Sequence, residues 1–136
     1  MTQQTMDRTI RNADLVRQGY AAFGRGDLAA VQELFDPGIV WHAQRLGRLG
    51  GDHRGWPEVL KFFAETMELT HGTFRMEIQA VLGSDTGAAV ILRSIAQRGD
   101  QNLDDQQVHI FHLRDERVTE VWQYVGDLDA VSAFWA

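Results

Sequence analysis

The hydrophobic period of this chain switches once, near Thr73, and that switch restricts the possible folds more than any other feature. Ahead of it, apolar residues recur at helical spacing. Behind it, segments 74–82, 88–98, 103–114 and 118–125 are rich in β-branched and aromatic residues, parted only by Gly83-Ser84-Asp85, Gly99-Asp100 and Asp115-Glu116. Breaks that short suit antiparallel hairpins and leave no room for crossover helices. Helices first and strands afterwards is the order of a segregated α+β domain, with the helices on one face of a four- or five-stranded sheet. A chain of 136 residues fits one such domain, taken as 1–136.

Three helices are expected ahead of the switch. In 9–23, Ile10, Leu15, Val16, Gly19, Tyr20 and Phe23 share a side opposite Arg11, Asp14, Arg17 and Gln18. Gly24 and Gly26 end it, and the carboxylate of Asp27 suits the N-cap of a second helix over 28–35, stopped by Pro37-Gly38. The RGD within this turn reads as turn and cap, without an integrin role. Residues 39–41 read as a short strand, and 44–55, with four glycines and three arginines, as a loop. Pro57 fits the first turn of a third helix reaching about Glu68. A short terminal helix over 127–135 is capped by Asp127 or Asp129.

Strand 103–114 is apolar on both sides, which calls for a cover on each. The terminal helix and edge loops are one source; a second copy of the chain, docked across Val108, Ile110, Trp122 and Tyr124, is the preferred one. Thirteen basic against nineteen acidic residues leave a charge of −6, which argues against nucleic acid or an anionic membrane as partner. With no cysteine there is no disulfide, thiolate metal site or cysteine nucleophile. No apolar run approaches a membrane span, and the polar start MTQQTMDRT lacks a secretory core, so a cytoplasmic location is expected.

The segments GYAAFGRGDLAAVQELFDPGIVWHA (19–43), HRGWPEVLKFF (53–63) and QVHIFHLRDERVTEVWQY (107–124), in this order and spacing, resemble the nuclear transport factor 2-like superfamily, within it the SnoaL-like polyketide cyclase group related to ketosteroid isomerases. The resemblance covers nearly the whole chain. It implies a cone: a curved antiparallel sheet wrapping three N-terminal helices and a short C-terminal helix around an interior apolar pocket, commonly as a dimer. It fixes the container and leaves the chemistry open. Carried over by position, the isomerase tyrosine falls on Gly19, its base on Ala43 and its protonated carboxyl on His109, while Tyr20 is rotated away by about 100° around the helix. The epoxide hydrolase set fails as well, with Gln123 at an aspartate position and Ile95 two residues after Arg93. Neither catalytic set is intact.

What remains is an inward face. If His109 points in, so do Gln107, Phe111 and Leu113, while Val108, Ile110 and His112 point out. The resemblance turns Val121 and Gln123 inward, with Trp41 and Ala43 in phase. The phase of 88–98 stays open: either Val90, Leu92 and Ser94 line the pocket, or Ile91, Arg93 and Ile95 do. His109 is the catalytic candidate, as proton donor or acceptor, because imidazole titrates near neutrality. Its plain alternative is a half-buried histidine bonded to Gln107 or Gln123. Trp41, Phe63, Met67, Gln107, Phe111, Val121 and Gln123 are the ligand-binding candidates, with Trp135 also shaping the cavity.

His109 and His112 lie on opposite faces of one strand, and His42 and His53 lack spaced carboxylates, so no metal site is expected. No organic cofactor is expected either. Asp104-Asp105 reads as a solvated hairpin end, with Asp105 in phase to orient Arg93 or Arg98 at the rim. Arg45, Arg48, Asp52, His53 and Arg54 form either a pocket mouth suited to an acidic group or a solvated loop. The expected function is a cofactor-free isomerase, cyclase, dehydratase or hydrolase acting on an apolar oxygenated molecule. Its alternative is a non-catalytic domain that binds such a molecule.

Overall fold

The computed structural model describes residues 2–136. Helix α1 (Gln3–Gly24) is followed by α2 (Leu28–Leu34), strand β1 (Phe35–Ala43), β2 (Gly51–Arg54) and helix α3 (Trp56–Leu69). Strands β3 (Arg75–Gly83), β4 (Gly87–Arg98), β5 (Gln101–Arg114) and β6 (Arg117–Val125) come next, and α4 (Leu128–Phe134) closes the chain. The six strands form one curved open sheet in the order β2-β1-β6-β5-β4-β3. The segregated α+β class therefore holds, with the switch of period falling between α3 and β3.

Local chemistry accounts for the boundaries. Thr2 caps α1 by accepting from the amide of Thr5, so this helix starts six residues before the apolar stripe becomes regular. Ile10, expected on the buried side, is 60% exposed. It stands about 120° from Val16 around the helix, off the stripe that the core covers. Asp27 caps α2 through Ala30, and Asp127 caps α4 through Ala130. Pro57 lies in the first turn of α3.

Three expectations about the first half need correction. The second helix ends at Leu34, and Phe35 already opens β1, whose register shifts between Phe35 and Val40, around Pro37-Gly38. The segment read as a loop contains β2, a short edge strand pairing His53 with Trp41 and Asp52 with His42. Both of its faces are largely wet, so its side chains carry no apolar alternation to read. Finally, the sheet is antiparallel except at β1, which runs parallel to β6.

The helices and the inner face of the sheet enclose the core, which includes Val16, Val31, Ile39, Trp41, Val59, Phe63, Val90, Leu92, Phe111 and Val121. Register settles the phase left open in the sequence. Val90 pairs with His109 and Leu92 with Gln107, placing Ala88, Val90, Leu92, Ser94 and Ala96 inside. Arg93 points outward and pairs with Asp104 at 2.5 Å.

Candidate functional site

An internal cavity of about 70 Å³ lies between the helices and the sheet. That is room for about two waters at liquid density and about half of a ~150 Å³ apolar cavity that holds benzene, so a ring-sized occupant would have to displace wall side chains. Its wall is apolar over most of its extent: Phe23, Phe35, Phe62, Phe63, Phe74 and Phe111 supply aromatic surface, and Val16, Val31, Leu34 and Leu103 aliphatic surface. Polar atoms are few. They come from Tyr20, Trp41, Thr66, Ser94, Gln107, His109, Gln123 and Trp135. Among the described residues, the wall carries no carboxylate, lysine or arginine.

His109, at the middle of β5, is 2% exposed. Its Nδ1 lies 2.6 Å from the hydroxyl of Tyr20. Its Nε2 is the one buried side-chain nitrogen or oxygen among the described residues without a hydrogen-bond partner. Burial pulls the imidazole down to about pH 3 as its titration point, so the ring is neutral at pH 7. Burial likewise pushes the Tyr20 phenol well above its ordinary 10, and it keeps its proton. A neutral ring carries one N–H. Placing that hydrogen on Nδ1 would orphan the phenolic hydrogen, which has no other acceptor within reach. The network therefore has Tyr20 donate to Nδ1 and leaves the Nε2–H of His109, a cavity-lining residue, without a partner.

This pairing departs from the sequence expectation in two respects. His109 bonds to neither Gln107 nor Gln123. Tyr20 does reach the cavity, because a β-carbon on Gly19 would lie 2.8 Å from Leu34, so position 19 faces α2 and position 20 turns toward the sheet. The apolar stripe already contained Tyr20; what it lacked was the packing partner of Gly19.

The two glutamines bond to each other. The indole Nε1–H of Trp41 donates to Gln123 Oε1 at 3.0 Å, and Gln123 Nε2 donates to Gln107 Oε1 at 3.2 Å. Gln107 Nε2 donates in turn to Asp105 Oδ2 at 3.2 Å. Asp105 is no solvated turn residue. It is 8% exposed and also accepts from the backbone amides of Gly126 and Asp127. Arg98 instead donates to the carbonyls of Phe134 and Ala136, so Asp105 orients neither arginine.

Of the ligand-binding candidates, Trp41, Phe63, Gln107, Phe111 and Gln123 line the cavity together with His109. Met67 and Val121 do not. Thr66 takes the place expected of Met67, one position earlier on α3, and Val121 is fully buried in the core. The arginines of segment 44–55 are also absent from the wall, which takes Leu46 and Leu49 from that stretch. His53 stacks on Phe62 at 4.4 Å and bonds to the carbonyl of Leu49.

His42 has the carboxylate partners that spacing alone did not show. Its ring nitrogens lie 2.7 Å from Asp52 and 2.5 Å from Glu120. Because the carboxylates sit at different ring nitrogens, they form a bridge between strands β2, β1 and β6 and do not share one ion. His109 and His112 stand on opposite faces of β5, one buried and one exposed.

The sequence matches the model of the SnoaL-like domain over residues 16–121. The chain belongs to this family. It is 30% identical over 124 residues to an uncharacterised protein of Mycobacterium tuberculosis, covering 90% of this chain and 95% of that one. Among solved structures it is similar to Bal32a, from a soil-derived mobile gene cassette, with 36% identity, a TM-score of 0.91, and 95% and 99% of the two chains covered. It shares its fold, at 19% identity and a TM-score of 0.80 over 91% and 97% of the chains, with TerC, which was co-crystallised with polyporic acid.

Proposed function

We propose that the protein is a cofactor-free enzyme acting on a compact, mainly apolar, oxygenated molecule, with His109 donating a hydrogen bond to a substrate oxygen. The carrying observation is the buried, unpartnered Nε2 of His109 beside an apolar cavity, because native proteins rarely leave such a group unsatisfied without a use for it. A neutral imidazole held by Tyr20 supplies a preorganised donor for charge developing on a carbonyl or enol oxygen. This sharpens the role from proton donor or acceptor to donor, since a ring that titrates near pH 3 is a poor base at neutrality. The organic ligand crystallised with TerC supports a small-molecule occupant for a cavity of this fold.

A second reading, binding without turnover, is favoured by the absence of any carboxylate from the described cavity wall, which leaves no evident base. A thermal-shift panel of oxygenated aromatic and terpenoid compounds, with native mass spectrometry for a co-purified molecule, identifies a ligand. Once a substrate is in hand, His109→Ala is expected to lower kcat by ~10²-fold, the usual loss on removing one such donor. An unchanged kcat removes His109 from the mechanism, and binding of hits without conversion supports the second reading.

The working unit in this proposal is a homodimer across the outer sheet face. Val108, Ile110 and Trp122 are half-buried there and Tyr124 is 48% exposed, a patch that a second copy would cover. Light scattering should give a mass near twice 15.4 kDa, and Ile110→Lys should return the protein to a single chain. A monomeric wild type would end this part of the proposal.

A further inference from the structure

The chain of bonds Trp41–Gln123–Gln107–Asp105 has a direction. An indole nitrogen can only donate, and a carboxylate only accepts. Trp41 stands at one end and Asp105 at the other, so both glutamines between them are fixed with the oxygen toward Trp41 and the nitrogen toward Asp105. Each amide oxygen already accepts one bond, and each amide nitrogen has one hydrogen left. Both glutamines line the cavity beside His109, whose free group is also an N–H. Each glutamine thus keeps one hydrogen and one oxygen lone pair, and His109 adds an N–H, so on the groups whose polarity the fold fixes hydrogens outnumber acceptor sites. Ser94, a lining hydroxyl free to rotate, can donate or accept.

We infer that Asp105 is a positioning residue: by anchoring this chain, it makes the cavity select a ligand with an acceptor oxygen (carbonyl, enolate or phenolate) over an equally shaped ligand without one. The inference rests on the proposed small-molecule site and adds what that site discriminates. Asp105 itself is absent from the cavity wall and acts through Gln107. Its other bonds, to the amides of Gly126 and Asp127, hold the carboxylate still and tie it to the turn before α4.

The test uses acetophenone and α-methylstyrene, which differ by an oxygen against a methylene, as matched probes in calorimetry. A cavity that is merely apolar prefers the olefin. A donor wall is expected to hold the ketone at least ~10-fold more tightly, since leaving buried donors unpaired is costly, and to shift the bound carbonyl stretch to lower frequency. Asp105→Asn offers one oxygen where the carboxylate serves three N–H groups with two. It should lower the ketone-to-olefin ratio several-fold without abolishing it, because the His109 N–H does not depend on the chain, while leaving olefin affinity within about 2-fold, because shape is unchanged. Trp41→Phe releases the other end without touching the turn before α4, and should lower the ratio in the same way. It decides the matter should Asp105→Asn fail to fold.

An olefin bound as well as the ketone by the wild type overturns this inference alone and leaves the cavity reading standing. A ratio that stays unchanged in a folded Asp105→Asn or Trp41→Phe protein overturns the positioning role. Failure of both probes to bind overturns the inference and the underlying reading together.

Discussion

Lowering the pH from 7 toward 3 is expected to remove roughly 5 kcal/mol of stability through His109 alone, the free-energy equivalent of moving its titration from 6.5 to about 3. The sign follows from which state binds the proton. Between those two values the unfolded chain protonates His109 and the folded chain does not, so acid favours unfolding. The contribution is fully present above about pH 6.5 and is lost as pH falls toward 3. Small domains hold only about 5–15 kcal/mol in all, so one residue should dominate acid sensitivity. His109→Gln isolates the effect, because the amide oxygen can still accept from Tyr20 but does not titrate. Urea unfolding at stepped pH should show a steep decline for the wild type and a much flatter one for the variant. Asp52 and Asp104, held low by hydrogen bonds to His42 and Arg93, add acid lability of their own that is common to both proteins. Equal slopes in the two proteins would mean that His109 is solvated or already charged.

Gly87→Ala is the other severe change. A β-carbon there would overlap the carbonyl oxygen of Phe111, on the neighbouring strand. The clash is with backbone, so no side-chain rotation relieves it. Either the β4–β5 register opens at the Gly87–His112 pair or the strands separate locally, beside the cavity residue Phe111. A loss of ~3 kcal/mol or more is expected, and a fall in Tm of order 10 °C for a chain of this size. Gly24→Ala is the control: nothing lies within 4 Å of its added methyl, and the position ends α1 without a left-handed backbone. It should be neutral or slightly stabilising. Similar melting temperatures for the two variants would show that β4 and β5 do not approach so closely.

What was readable in the sequence and what was not follow one physical division. Parity in 103–114 put Gln107, His109 and Phe111 on one face, because side-chain direction alternates along a strand, and the resemblance pointed to that face as the inward one. The helix cap at Asp27 was readable for a similar reason, and that of α4 was narrowed to Asp127 or Asp129, since a cap depends on residues three positions away. Contacts between distant elements left no such trace. Tyr20 meets His109 across 89 positions, and its direction depends on Gly19 fitting against Leu34. Asp105 looked like one more acid at a polar hairpin end, since the amides that bury it belong to a turn 21 residues on. His42 found its carboxylates on strands β2 and β6, one of which was not foreseen as a strand. Met67 is turned about 100° around α3 from its neighbour Thr66, which holds the wall position.

The parallel pairing of β1 with β6 also orders events during synthesis. Hairpins β3–β4, β4–β5 and β5–β6 close over short connections, whereas β1 must wait for a strand some eighty residues downstream. Pairings of such long sequence separation form late and slow the search for the native state. The Trp41–Gln123 bond crosses that same seam, so β1, paired with β2 on one edge, keeps its other edge and the Trp41 indole N–H without their partners until β6 is made. Anything that delays β6 therefore prolongs a nascent species at risk of aggregation.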